Sequence, residues 1–158
     1  MAANATETES VTTWTDPVRV LEASGAHTAS GASAGQRISS EFRWITFQLI
    51  LTAVVGVVGD VLNVYIQQSA DNGANWDDLV NFSNLTGIST AEVESASVPV
   101  YPENAAGEVH VQTNGTLAAS TVRQMVLARR FRARWLVAGA GGSSWTFQVV
   151  ALPRMVGR

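Results

Sequence analysis

The chain has 158 residues, 46% of them hydrophobic, with a formal charge of −3 and no cysteine. One core with tails is the expected organisation at this size, and the absence of thiols excludes a disulfide framework and a thiolate metal site. All 10 basic residues are arginine, and through Glu108 three of them face all 13 acids while beyond it seven face none; the two parts should attract within the fold or between subunits.

From Met1 to about Asp16 the chain is polar and aperiodic, and Ala2 to Ser10 lacks the basic and apolar regions of a secretory signal. Val18, Val20 and Leu21 offer a short strand, and Ser24 to Gln36 is a Gly/Ala/Ser tract without an anchor for a core. The expectation is a flexible N-terminal arm and linker over residues 1–36 and a β-sandwich domain over residues 37–158. The arm would become ordered against a partner, with Trp14, Val18 and Val20 as its apolar contacts.

Phe42 to Val55 is dense in β-branched and aromatic residues and reads as a strand. Its uncharged stretch, Trp44 to Gly59, falls short of the roughly 20 apolar residues of a spanning helix, so no membrane segment is expected. Gly56 and Gly59 bracket a bend into Asp60 to Ser69, where Leu62, Val64 and Ile66 alternate with Asn63, Tyr65 and Gln67; that period of two excludes a helix. Asp71-Asn72-Gly73-Ala74-Asn75 is a hairpin turn, because Asn-Gly tolerates positive φ, and Trp76 to Phe82 is the returning strand. Further strands are expected at Glu92 to Val100, Glu108 to Thr113, Val122 to Val137 and Ser144 to Leu152, separated by Pro99, Pro102, Asn114-Gly115 and Gly139 to Gly142. About seven or eight mostly antiparallel strands make the fold all-β, a sandwich or jelly roll.

Ser69 to Trp76 fits Ser-x-Asp-x-Gly-x-x-Trp and resembles the Asp-box of sialidases and related β-propellers. It occurs once, and a propeller needs several blades, so the motif argues for hairpin geometry and against glycoside hydrolysis. Asp71, Asp77 and Asp78 are hard oxygen ligands near one loop, but their spacing matches no EF-hand. His27 and His110 form no metal-binding pair and adjoin no evident nucleophile. Gly139-Ala140-Gly141-Gly142 lacks the Lys-Ser/Thr of a phosphate loop and leads into a strand, so it reads as a β-turn. No enzyme activity, metal or cofactor is expected.

In Arg129-Arg130-Phe131-Arg132-Ala133-Arg134-Trp135, strand alternation puts Arg130, Arg132 and Arg134 on one face and Phe131, Ala133 and Trp135 on the other. Glu92 and Glu94 share that period on another expected strand, as cross-strand or intersubunit pairing requires. Net acidity and the lack of neighbouring exposed aromatics weigh against direct nucleic-acid binding. The candidate partner-binding residues are therefore Arg130, Arg132, Arg134, Glu92, Glu94, Trp14, Val18 and Val20.

Val61 to Ser69, the Asp71-Asn72-Gly73 turn, Trp76-Asp77-Asp78-Leu79, Arg132-Ala133-Arg134-Trp135, the Gly-rich turn and Trp145-Thr146-Phe147-Gln148-Val149 together resemble small β-sandwich virion proteins of tailed bacteriophages. The resemblance spans Phe42 to Leu152 and leaves out the arm. It implies a capsid decoration (cement) protein on the outer capsid surface of the virion, assembled in the host cytoplasm. Its partners would be the major capsid protein and copies of itself in a homo-oligomer, with a trimer favoured. A neck or tail tube, terminator or adaptor protein is the alternative within the same virion. A carbohydrate- or receptor-binding module, with Trp14, Trp44, Trp76, Trp135 or Trp145 as its stacking platform, is the alternative of another class.

Overall fold

The computed structural model describes residues 18–38, 42–99 and 111–155. Among them there is no helix; the strands are β1 (Arg19–His27), β2 (Gly31–Ala32), β3 (Gln36–Arg37), β4 (Phe42–Val55), β5 (Val61–Ser69), β6 (Asp77–Asn81), β7 (Leu85–Thr86), β8 (Glu92–Pro99), β9 (Thr121–Val122), β10 (Arg130–Ala138) and β11 (Ser144–Met155). They build two antiparallel sheets: a front sheet of 4 strands in the order β1-β11-β4-β8, and a back sheet of 7, ordered β2-β10-β5-β6-β9 with β3 also on β10 and β7 also on β5. The all-β sandwich expected from the alternation is the fold observed.

Alternation decides which residues meet between the sheets. Ile45, Phe47, Leu49 and Leu51 of β4, with Trp145, Phe147, Val149 and Ala151 of β11, turn inward from the front. Leu62, Val64 and Ile66 of β5, Val80 of β6, and Phe131, Ala133 and Trp135 of β10 face them from the back. The Phe47 and Phe131 rings sit 5.6 Å apart across the core. Each buried Val, Leu, Ile or Phe among them contributes about 1.5–3 kcal/mol by leaving water. The indole N–H groups of the buried tryptophans are not wasted: Trp135 Nε1 donates to Ala29 O at 3.0 Å and Trp145 Nε1 to Thr86 O at 3.3 Å.

Strand pairing begins well before residue 37, which corrects the expected boundary between arm and domain. β1 lies along β11 at the front edge, the chain crosses the side of the sandwich, and β2 and β3 then line β10 at the back edge. The Gly/Ala/Ser tract is a steric fit. A Cβ at Gly31 would stand 2.6 Å from Trp135 Cζ2, and one at Gly35 would stand 2.4 Å from Trp76 Cη2. Its serines extend the ladder to β10: Ser33 Oγ accepts from Ala133 N at 3.0 Å, and Ser30 Oγ accepts from Val137 N at 2.8 Å. His27, expected in the linker, packs where the chain changes sheets, with its ring 4.3 Å from Phe147 and 4.5 Å from Trp135. Burial lowers its pKa.

Two further expectations change. The stretch from Val122 to Val137 divides into β9 and β10, because residues 123–129 leave the sheet and the Gln68 side chain takes over part of their pairing, accepting from Ala128 N at 2.8 Å. Residues 111–113 are not strand; they lie against β6, where Asp78 N donates to Thr113 O at 2.9 Å.

The edge packing gives a direct test. Gly31→Ala should cost about 1–3 kcal/mol in urea unfolding, as expected for overpacking against a fixed ring. Ala32→Ser, on an exposed edge position, should stay within about 0.5 kcal/mol. Equal stabilities for the two variants would show that this segment is not packed beneath Trp135.

Candidate functional site

The outer face of the back sheet carries the arginine row. Arg130, Arg132 and Arg134 alternate with buried Phe131, Ala133 and Trp135, as β10 requires. Each guanidinium is held by neutral acceptors. Arg130 donates to Asn72 O and Oδ1, both at 2.9 Å, and to Gly35 O at 3.1 Å. Arg132 donates to Gln67 Oε1 at 2.8 Å and lies 4.3 Å from the centre of the Trp76 ring, a cation–π arrangement. Arg134 donates to Asn114 Oδ1. Burial, followed by the neighbouring Arg134 charge, lowers the pKa of Arg132.

Glu92 and Glu94 do not pair with this row inside the chain, because β8 lies in the front sheet and bonds there to β4. Glu94 instead accepts from Ser83 N at 2.8 Å and from the Ser83 hydroxyl. Val18 and Val20 are exposed beside β11, whereas Trp14 lies outside the described residues, as does His110.

The carboxylates that suggested a cation site are engaged by protein donors. Asp71 closes the hairpin turn: it accepts from Asn75 N at 2.8 Å, Asn75 Nδ2 at 2.6 Å and Ser69 Oγ at 2.8 Å, with Asn72 at φ 62° and Gly73 at φ 100°. These bonds, the Asn75 amide foremost, lower the Asp71 pKa to about 2. Asp77 accepts from Thr113 N at 2.9 Å and Arg123 Nη1 at 3.1 Å. Asp78, with 0% exposure, accepts from Gln67 Nε2 at 2.7 Å, Thr113 Oγ1 at 3.0 Å, Gly115 N at 2.7 Å and Thr116 N at 3.0 Å. Burial pushes its carboxyl up, but those donors outweigh it and leave the pKa below the ordinary value. Among the described residues no group of three His, Cys, Asp or Glu is placed to hold a metal ion. The Gly-rich turn is likewise filled from within: Asp60 accepts from Ser143 Oγ at 2.7 Å and Gly141 N at 3.2 Å.

The outer face of the front sheet has a different chemistry, and sequence reading did not single it out. Strand register places Leu152, Thr46 and Ser97 in one row, Val20, Val150, Gln48 and Ser95 in the next, and Gln148, Ile50 and Val93 in a third. No charged residue stands in these rows. Thr46 and Ser97 share a hydrogen bond of 2.8 Å, and Gln48 donates to Ser95 at 3.1 Å. Trp44, 43% exposed, stands at one end between Arg154 and Pro99. The signal in the sequence was the run of Thr46, Gln48 and Ile50 between inward residues, but only the strand order sets β8 and β11 beside it.

Comparison with protein-family models, curated proteins and solved structures finds no match to this chain.

The Asp71 turn predicts a pH dependence. Its folded pKa of about 2 lies below the ordinary 3.8, so its stabilisation is fully present above the ordinary value and is lost as pH falls through the folded one. The gap in thermal midpoint between the native chain and Asp71→Asn should be constant above pH of about 5 and shrink towards pH of about 2. A gap independent of pH across that window would show that the ionised carboxylate does not hold the turn.

Proposed function

We propose that this protein is a non-catalytic structural component of a virus particle, a capsid decoration protein that docks through the outer face of its front sheet. The observation that carries the reading is the three uncharged rows across β8, β4 and β11, with Trp44, beside Arg154, at their end and Val20 at their edge. A surface that must shed water against a protein lattice is best built without charges, which are costly to desolvate, and with an aromatic anchor. The resemblance of the hairpin, the Arg-x-Arg strand and the closing strand to tailed-phage virion proteins supplies the setting. In this reading the major capsid protein is the docking partner on the outer capsid surface, and copies of the chain associate as a homo-oligomer, with a trimer favoured.

A second reading rests on the same face. Trp44 beside Thr46, Gln48, Ser95 and Ser97 offers an aromatic plane with hydroxyl and amide groups, a combination suited to a neutral glycan.

Both readings meet one experiment. Trp44→Ala should weaken co-sedimentation with undecorated capsids by about 2 kcal/mol, roughly thirtyfold in Kd, and Gln48→Lys should weaken it further by placing a charge on the face. Light scattering should give the mass of a trimer. Capsid binding by both variants at native strength overturns the docking assignment, and glycan-array binding that is lost with Trp44→Ala establishes the second reading instead.

A further inference from the structure

At the end of the back sheet a cleft of about 290 Å³ is lined by Arg37, Arg129 and Arg130, together with Ser69, Ala70, Asn72 and Ala128. Among the described residues no carboxylate lines it. Arg37 and Arg130 stand directly opposite each other in the β3–β10 register, a placement in which like charges destabilise a sheet. None of the three arginines is in an ion pair among the described residues. The nearby Asp71 is ionised, but both its oxygens are turned to donors within the hairpin and it forms no ion pair with the three arginines, whose charges outnumber it.

We propose that this cleft binds a phosphoryl group on a small ligand, Arg37 and Arg129 supplying the donors and all three guanidinium groups the charge. Arg130 is fixed in advance by its bonds to Asn72 and Gly35, so little freedom is lost when an anion arrives. Arg37 and Arg129 are exposed and free to close on it. Guanidinium forks match oxyanions in paired hydrogen bonds. Three positive charges exceed the single charge of a carboxylate, whereas a phosphoryl group brings three strong acceptor oxygens and a charge of about −1.5 to −2. The volume sits at the lower edge of small-molecule sites, which run from about 300 to 1,000 Å³, enough for a phosphoryl group and a compact substituent. Free phosphate and a nucleotide share this chemistry. The site is independent of the docking face, since no residue of β4, β8 or β11 lines it.

The test is calorimetric titration of the full chain with inorganic phosphate, adenosine 5′-monophosphate and adenosine. Saturable binding of a phosphorylated ligand, with adenosine silent, is the expected result; tighter binding of the monophosphate than of phosphate identifies a nucleotide-like source, and equal binding identifies the free anion. Arg37→Gln and Arg129→Gln should each weaken binding about tenfold or more, while Arg43→Gln, at an exposed β4 position that does not line the cleft, leaves it unchanged. Ala70→Glu, which introduces a carboxylate among the arginines without removing any of them, should abolish binding in a folded chain. No saturable heat, or an equal loss with Arg43→Gln, overturns the assignment.

Discussion

Asp78 is buried in the outer layer of the back sheet, and the organisation of that layer follows from how its charge is satisfied. An ionised carboxylate cannot leave water unless donors replace the solvent. Here they come from two directions: the Gln67 amide on the neighbouring β5, and the Thr113 hydroxyl with the backbone amides of Gly115 and Thr116 in the segment lying over the sheet. Satisfying the carboxylate therefore fixes that segment on β6. It also orients Gln67, whose amide oxygen then faces Arg132, and through Arg132 the effect reaches Trp76 at the hairpin.

The same logic separates the two outer faces. On the back, charge is abundant, but much of it is committed: Arg132 and Arg134 to amide oxygens, Asp71 to its own turn, Asp77 and Asp78 to the chain beyond residue 110. What remains uncompensated gathers at one end, where the N-terminal edge brings Arg37 against Arg130. On the front, three adjacent outward rows beyond Trp44 hold only Ser, Thr, Gln, Val, Ile and Leu. A face of this kind sheds water cheaply, whereas a cluster of cations attracts a compact anion, so the two ends of the molecule suit different partners.

The N-terminal edge links these features. By running along β11 and then along β10, residues 19–37 tie both sheets together at one side, with His27 between Phe147 and Trp135 at the crossing. The edge places Val20 beside the neutral face and Arg37 in the cleft. Composition misleads in this segment, because Gly, Ala and Ser mark both loose linkers and chain that must pass beneath large rings. Trp135 over Gly31 and Trp76 over Gly35 make it the second case.

By itself the sequence determined the all-β class, the inward set of β5 and β10, the Asn72-Gly73 hairpin turn and the outward direction of Arg130, Arg132 and Arg134. These follow from the period of two and from turn chemistry, both local properties of the chain. Tertiary structure alone decided that β8 and β10 lie in different sheets, so that Glu94 meets Ser83 and the arginines meet amides. It also decided that Arg37 joins Arg129 and Arg130, and that Thr46, Gln48, Ser95 and Ser97 share one surface. Strand order and sheet assignment depend on contacts between residues distant in sequence, and alternation fixes which way a side chain points without fixing what stands opposite it.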